Sequence, residues 1–151
     1  MIEFPKDFKE FLQLLQSKEI EYLVVGGYAV GYHGHPRATG DMDVWIAIHE
    51  QNASRLVDAL EEFGFAQPGL RKELFLEKEK VIRMGVPPMR LEILTSIDGV
   101  TFEECYTRQV VADFGDVQVK FISRSDLLRN KRSSGRHKDL DDVEMLEKDG
   151  T

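Results

Sequence analysis

The chain has 151 residues, of which 42% are hydrophobic, so it can build one domain with a buried core, residues 1–151. Its net charge of −7 gives no general attraction for nucleic acid, and an RNA substrate would need a local basic patch. Cys105 is the single cysteine, which excludes an internal disulfide. Because neither a secretory signal nor an apolar run of about eighteen residues occurs, we expect a cytoplasmic protein that does not span a membrane.

The chain begins with a helix pattern followed by a short strand. Helical spacing of apolar residues predicts an amphipathic helix that packs on a sheet, through Phe8, Phe11, Leu12 and Leu15. Residues 21–25 have the character of a buried strand, and residues 29–32 leave room for only a short helix before Gly34.

Gly26 and Gly27 stand between this strand and this helix. Two glycines allow the backbone to turn sharply and to approach a ligand closely, and free N–H groups at a helix start can receive phosphate oxygens. A Gly-Gly pair by itself is more often a simple turn.

Two acids open the next apolar run. Residues 41–48 alternate in character, which predicts a strand with Asp41 and Asp43 on the same face. Their Cβ atoms would lie roughly 6–7 Å apart, and at an effective dielectric of about 20 the two carboxylates would repel by roughly 3 kcal/mol. Mg²⁺ would relieve this repulsion. Asp-x-Asp alone is usually a solvated strand edge, but together with Gly-Gly at this spacing it is more informative.

A strand, Gly26-Gly27, a short helix and loop, and then Asp41-x-Asp43 on the next strand resemble the signature of the DNA polymerase β-like nucleotidyltransferase superfamily, in its small single-domain form. The resemblance implies an α/β (α+β) fold with a mixed twisted sheet and helices packed mainly on one side. It also implies transfer of a nucleoside monophosphate from a nucleoside triphosphate to a hydroxyl acceptor, with two Mg²⁺ ions at the acids. The commonest form of the signature has Gly-Ser at the position of this Gly-Gly.

The loop before the acids, residues 34–40, is rich in turn-forming residues. The resemblance makes Arg37 and Thr39 candidates for contact with the nucleotide. From the residues alone, Arg37 is a solvated loop charge.

The middle of the chain predicts a helix over residues 52–63 that ends at Gly64, followed by two strands over residues 81–86 and 89–94. Glu92 is an acid in an otherwise apolar strand, so we expect it to be paired or bound to metal. A salt bridge to Arg83 or Arg90 is one interpretation. The resemblance favours the other, in which Glu92 is the third catalytic and metal-binding carboxylate beside Asp41 and Asp43.

The last third of the chain predicts helices around a hairpin. A capping pattern begins a short helix at Thr101, and residues 109–112 and 117–121 predict the hairpin strands. Ser123 caps a helix that ends at Gly135. The final helix is predicted over residues 137–148, with three inward residues: Leu140, Val143 and Leu146.

Basic residues concentrate between the last two helices, although the chain is acidic. This charge could hold a triphosphate or an RNA end, or it could be a solvated helix junction. The segment is similar to the tail of several small nucleotidyltransferase-like families, where it partly locks the last helices. Lys131 and Lys138 are our candidates for phosphate contact.

Two alternatives to an active enzyme remain. One is an antitoxin-type interaction protein that neutralises a toxin-like partner protein. The other is a degenerate domain that binds nucleotide and metal without transfer. Since the chain leaves little room for a separate acceptor domain, the acceptor could also be bound by a homodimer groove.

Overall fold

A computed structural model of the chain describes residues 3–34 and 40–149. The helices and strands follow in chain order: α1 (Lys6–Ser17), β1 (Tyr22–Val25), α2 (Gly26–Tyr32), β2 (Met42–Ile46), α3 (Glu50–Phe63), a 3₁₀ helix (Lys72–Phe75), β3 (Val81–Val86), β4 (Met89–Leu94), α4 (Phe102–Thr107), β5 (Val110–Asp113), β6 (Gln118–Phe121), α5 (Arg124–Ser134) and α6 (His137–Asp149). The predicted class, a mixed α/β fold, is confirmed.

Within the described residues, six strands form one sheet in the order β3-β4-β2-β1-β6-β5. Strand β1 pairs antiparallel with β2 and parallel with β6, and β2 pairs parallel with β4. Antiparallel hairpins, β3–β4 and β5–β6, form the two edges. All four residues of β1 are buried, so the strand that leads into the two glycines lies in the core.

Helix α1 packs as its sequence pattern predicts. Its four apolar residues are buried: Phe8, Phe11, Leu12 and Leu15. Phe11 contacts Phe63 of α3 edge to face, with ring centroids 5.4 Å apart. The two helices therefore form one layer that supports the sheet.

Several element ends agree with their sequence signals. Strands β3 and β4 have the predicted bounds. Helix α3 ends at Gly64, which has a φ of 108°. Helix α5 begins after Ser123, whose hydroxyl accepts the Asp126 N–H, and it ends at Gly135 in the left-handed region.

Other boundaries differ from the prediction. Helix α2 begins at Gly26 instead of residue 29, α3 begins at Glu50 instead of residue 52, and Asp41 lies just before β2 instead of inside it. Thr101 precedes α4, but its side chain makes no capping hydrogen bond. The helix thus begins at the predicted place, but the predicted capping hydrogen bond is not formed.

The predicted inward position of Leu140 is wrong, because its side chain is 44% exposed. Helix α6 instead turns Asp139 and Asp142 inward together with Val143 and Leu146. Lys131 of α5 forms ion pairs with both aspartates. These buried ion pairs determine which face of α6 packs against α5. Leu140 lies outside that face and is therefore exposed.

Across the described part of the chain, no helix combines the length and the apolar character needed to cross a membrane.

Candidate functional site

The turn from β1 into α2 lies against Asp43. Val25 pairs with Asp43 across the β1–β2 ladder, so the next residue, Gly26, comes beside the Asp43 side chain. Gly26 has a φ of +66°, and a Cβ added to it would lie 2.9 Å from Asp43 Cγ. A side chain at this position would be strained and would also collide with the carboxyl group. Glycine is therefore required for two separate reasons.

Strand pairing brings Glu92 to Asp43. The two residues are direct partners in the parallel ladder of β2 and β4, so their side chains lie on the same face. Burial and the nearby Glu92 carboxylate raise the pKa of Asp43 to about 7. Asp43 Oδ1 is buried and has no hydrogen-bond partner among the described residues. The centre of the site is thus a carboxyl group whose charge is poorly compensated.

Strand β4 lies between β2 and β3, so Glu92 has Asp43 on one side and Arg83 on the other. Arg83 Nε donates to Glu92 Oε1 at 2.8 Å across the β3–β4 ladder. Burial acts to raise the pKa of Glu92, but the hydrogen bonds from Arg83 and Asp43 outweigh it and lower the pKa below its usual value. Glu92 is therefore paired with an arginine, as one interpretation predicted, and it also lies beside Asp43. Its catalytic and metal-binding role stays a prediction.

Asp41 is held by a different arginine. Arg90 donates from Nε and Nη2 to Asp41 Oδ2, at 3.2 and 3.1 Å. The Asp41 carboxylate also contributes to the raised pKa of Asp43. Asp43 and Glu92 thus lie side by side on one face and line the same pocket, whereas Asp41 lies just before β2, outside the pocket lining, and is paired to Arg90.

A pocket of about 430 Å³ opens at this place, which is within the size range of small-molecule sites. Six of the residues predicted for the site line it: Gly26, Gly27, Asp43, Glu92, Lys131 and Lys138. The β1–α2 turn, two neighbouring strands and the α5–α6 junction therefore meet at one cavity.

Solved structures with a similar fold cover nearly all of this chain. The lincosamide antibiotic adenylyltransferase LnuA, with lincomycin bound, is 18% identical, with a TM-score of 0.58 over 95% of this chain and 96% of that one. A proposed nucleotidyltransferase from Thermotoga maritima is 15% identical, with a TM-score of 0.59 over 93% and 88%. An antigenic nucleotidyltransferase-like protein from Paracoccidioides brasiliensis is 20% identical, with a TM-score of 0.55 over 93% and 74%.

The chain has a nucleotidyltransferase-like fold. Comparisons with protein-family models and with curated proteins give no match. The likeness is therefore one of structure, and it agrees with the fold that the Gly-Gly and Asp-x-Asp pattern implies.

In this nucleotidyltransferase-like fold, the two candidate lysines have different surroundings. Lys131 is buried, and its Nζ lies 2.9 Å from Asp139 and 3.0 Å from Asp142. Lys138 is exposed and lines the pocket, with no ion pair to any residue in the described ranges. Lys131 thus holds α5 to α6, and Lys138 offers a positive charge at the rim.

The remaining predicted residues, Arg37 and Thr39, lie outside the described residues. Sequence reasoning missed three polar groups that also line the pocket: Ser96, Asp98 and Asn130. Asn130 of α5 donates to the Asp98 carbonyl at 3.0 Å. No local pattern could have revealed them, because they meet only when α5 packs beside the loop after β4.

Proposed function

We propose that the chain is a metal-dependent nucleotidyltransferase that moves a nucleoside monophosphate from a nucleoside triphosphate to a hydroxyl acceptor and releases pyrophosphate. The observation that carries this proposal is Asp43, whose carboxyl group is mostly buried beside Glu92 and has one oxygen without a partner in the described residues. Such a group is costly to ionise unless a cation neutralises it. The nucleotidyltransferase-like fold supports the same function.

The donor set fits Mg²⁺, which prefers carboxylate, water and phosphate oxygens. Asp41, Asp43 and Glu92 would hold it, with two ions in the scheme that the family resemblance implies. Among the described residues, no group of three or more His, Cys, Asp or Glu side chains is already arranged around a metal position. Bound there, Mg²⁺ would offset the charge of the triphosphate and lower the pKa of the acceptor hydroxyl.

Other groups of the pocket would bind and orient the nucleotide. Gly26 and Gly27 add no side chains of their own to the pocket wall, so a phosphate could approach their backbone beside the Asp43 carboxyl group that lies against Gly26. Lys138 places positive charge at the rim for the polyphosphate, and Arg136 adds an exposed guanidinium group that is paired with Asp139. Glu92 would complete the cation ligands or accept the proton of the acceptor hydroxyl. Arg37 and Thr39 remain candidates for nucleotide contact.

The acceptor is the open part of this proposal. LnuA is described as an adenylyltransferase of a lincosamide antibiotic. Its similar length and fold make ATP the first nucleotide to test and small hydroxylated molecules the first acceptor class.

Calorimetric binding of ATP, GTP, CTP and UTP, with and without Mg²⁺, tests the proposal. We expect at least one nucleotide to bind the wild type only when Mg²⁺ is present. The Asp41→Asn/Asp43→Asn variant should lose this binding while its circular dichroism spectrum stays native.

A control variant separates the site from general charge effects. Asp58→Asn/Asp116→Asn removes the same charge from two exposed positions outside the pocket lining, and it should bind as the wild type does. If the wild type binds none of the four nucleotides, the proposal is wrong, and a protein partner should be sought by pull-down. If it binds but transfers no labelled nucleoside monophosphate to any acceptor, the degenerate-domain alternative gains support.

A further inference from the structure

The sheet face that carries the three candidate acids also carries two arginines. Across β2, β4 and β3, Asp43 is the partner of Glu92, and Glu92 is the partner of Arg83. Arg90 precedes Glu92 by two residues on β4 and so shares its face. Two adjacent acids and one arginine therefore form a row across the sheet, and Arg90 lies on the same face of β4 as Glu92.

Each of the two outer carboxylates already has a guanidinium partner. Arg83 lies 2.8 Å from Glu92, and Arg90 lies 3.1 Å from Asp41. The arginine side chains keep 63% and 39% of their surface exposed. They are thus held by their ion pairs and not by burial, whereas their carboxylate partners, Glu92 and Asp41, are only 19% and 28% exposed. Because the guanidinium groups are largely solvated, each can change partners once a cation takes over the charge of its carboxylate.

A divalent cation that enters alone meets two obstacles at this face. It must compete with Arg83 and Arg90 for the carboxylates, and it is repelled by both guanidinium groups. A nucleoside triphosphate removes both obstacles, because its phosphate oxygens offer the arginines a new anion. Arginine is well suited to phosphate, since its planar fork can donate two parallel hydrogen bonds.

We propose that Arg83 and Arg90 are exchangeable counter-ions, which make cation binding conditional on the polyphosphate of the nucleotide. In the metal-free protein they neutralise Glu92 and Asp41. When cation and nucleotide enter together, the guanidinium groups move to the phosphates and release the carboxylates. The inference rests on the proposed function. It adds two residues, Arg83 and Arg90, that make the site bind the cation–nucleotide complex in preference to the free cation.

Two affinities measured on the Arg83→Gln/Arg90→Gln variant test this exchange. The first is for Mn²⁺ alone, followed by the loss of its free-ion EPR signal. The second is calorimetric, for Mg²⁺ with the nucleotide that the wild type binds best. We expect the variant to bind Mn²⁺ alone at least tenfold more tightly than the wild type, and Mg²⁺-nucleotide at least tenfold more weakly. A merely structural role of the arginines would not move the two affinities in opposite directions.

Arg132→Gln is the matched control for lost positive charge. Arg132 has similar exposure and pairs with Glu147 at 2.9 Å instead of with one of the candidate acids. One such change should leave both affinities within about twofold of the wild-type values. Urea unfolding of each variant confirms that it is folded during the titrations.

The outcomes separate the exchange from the proposed function. If the wild type binds Mg²⁺-nucleotide but the double variant gains no affinity for Mn²⁺ alone, the exchange is wrong and the function stands. The same holds if Mn²⁺ binds more tightly but Mg²⁺-nucleotide binding is not weakened. If the wild type binds no Mg²⁺-nucleotide at all, both proposals are overturned.

Discussion

Gly26 and the Asp43 carboxyl group compete for the same space, and this is the tightest packing constraint in the candidate site. Gly26→Ala would place a methyl group against Asp43 on a backbone with a φ of +66°. We expect a loss of about 3 kcal/mol in the free energy of unfolding, from backbone strain and from displacement of a buried carboxyl group. Urea unfolding measures this loss, and Mg²⁺-dependent nucleotide binding should disappear with it.

Gly135→Ala isolates the backbone part of that cost. Gly135 also has a φ of +66°, but nothing lies within 4 Å of an added Cβ. Its substitution should cost about 1–2 kcal/mol, the usual penalty of the left-handed conformation. Equal losses for the two variants would mean that the contact with Asp43 contributes nothing.

Asp43 itself should lower stability at neutral pH when no cation is bound. Its pKa is raised from 3.8 to about 7 in the folded state, so folding favours the protonated form. Stability is then lost as the pH rises from about 4 towards 7. We expect Asp43→Asn to be more stable than the wild type in EDTA, with an advantage that grows by about 2 kcal/mol between pH 5 and pH 8.

Urea unfolding at several pH values checks this dependence. The advantage of Asp43→Asn should flatten above pH 8, where Asp43 is ionised in both the folded and the unfolded states. An advantage that does not change with pH would show that Asp43 is not perturbed in the folded protein. Saturating Mg²⁺ and nucleotide should reduce the advantage, because only the wild type would gain stability from binding.

At the level of helices and strands, the sequence correctly predicted those ends that are determined by the residue types at the end itself. Strands β3 and β4 and the caps at Ser123, Gly64 and Gly135 follow directly from local residue types. Leu140 shows the limit of such reasoning. An apolar residue at helical spacing predicts an inward position, but the inward face of α6 depends on ion pairs with Lys131, a residue of another helix.

The candidate site shows the same limit more strongly. Gly26-Gly27 and Asp41-x-Asp43 are local patterns and can be read from the sequence. The contact between Asp43 and Glu92 is not local, since it depends on the parallel pairing of β2 with β4. Sequence alone left Glu92 between a salt bridge and a site role, and only the family resemblance favoured the second. The distribution of Arg83 and Arg90 between two different acids also depends on this pairing.

Lys131 provides a test of how α6 is fixed to α5. Lys131→Met would leave Asp139 and Asp142 buried without their ammonium partner. We expect a loss of about 3 kcal/mol or more in the free energy of unfolding, because two buried carboxylates would lose the cation that they share. Lys138→Met is the matched control, and its exposed side chain should change stability by less than about 0.5 kcal/mol.

The pH dependence of stability in acid should reveal the same interaction between Lys131 and Asp139. Burial acts to raise the pKa of Asp139, but hydrogen bonds from Ser134 and Lys131 hold it at about 2. Asp139 therefore contributes stability above about pH 4, and this contribution is lost as the pH falls towards 2. In Lys131→Met this acid dependence should be weaker. If the variant keeps wild-type stability and acid dependence, other contacts fix α6.

Across the whole molecule, the site joins parts of the sheet that differ in burial. Strand β1 is entirely buried, whereas β3 at one edge exposes Val81 and Val86, and β5 at the other edge exposes Val111. Hydrogen exchange should therefore be slowest in β1 and β2 and faster in the two edge strands. The edge hairpins differ in one respect that matters for function, because only β3–β4 contributes residues to the pocket.

This difference makes the two hairpins internal controls for each other. Saturating Mg²⁺ and nucleotide should slow exchange in β3–β4, since Glu92, Arg83 and Arg90 all lie on that hairpin and would acquire new partners. Exchange in β5–β6 should change little, because amides that exchange by local opening at a distant edge do not sense binding at this pocket. Mass spectrometry of peptides from the two hairpins distinguishes the cases. Equal slowing at both edges would indicate a general stabilisation of the fold, and it would contradict a site built on the β3–β4 side of the sheet.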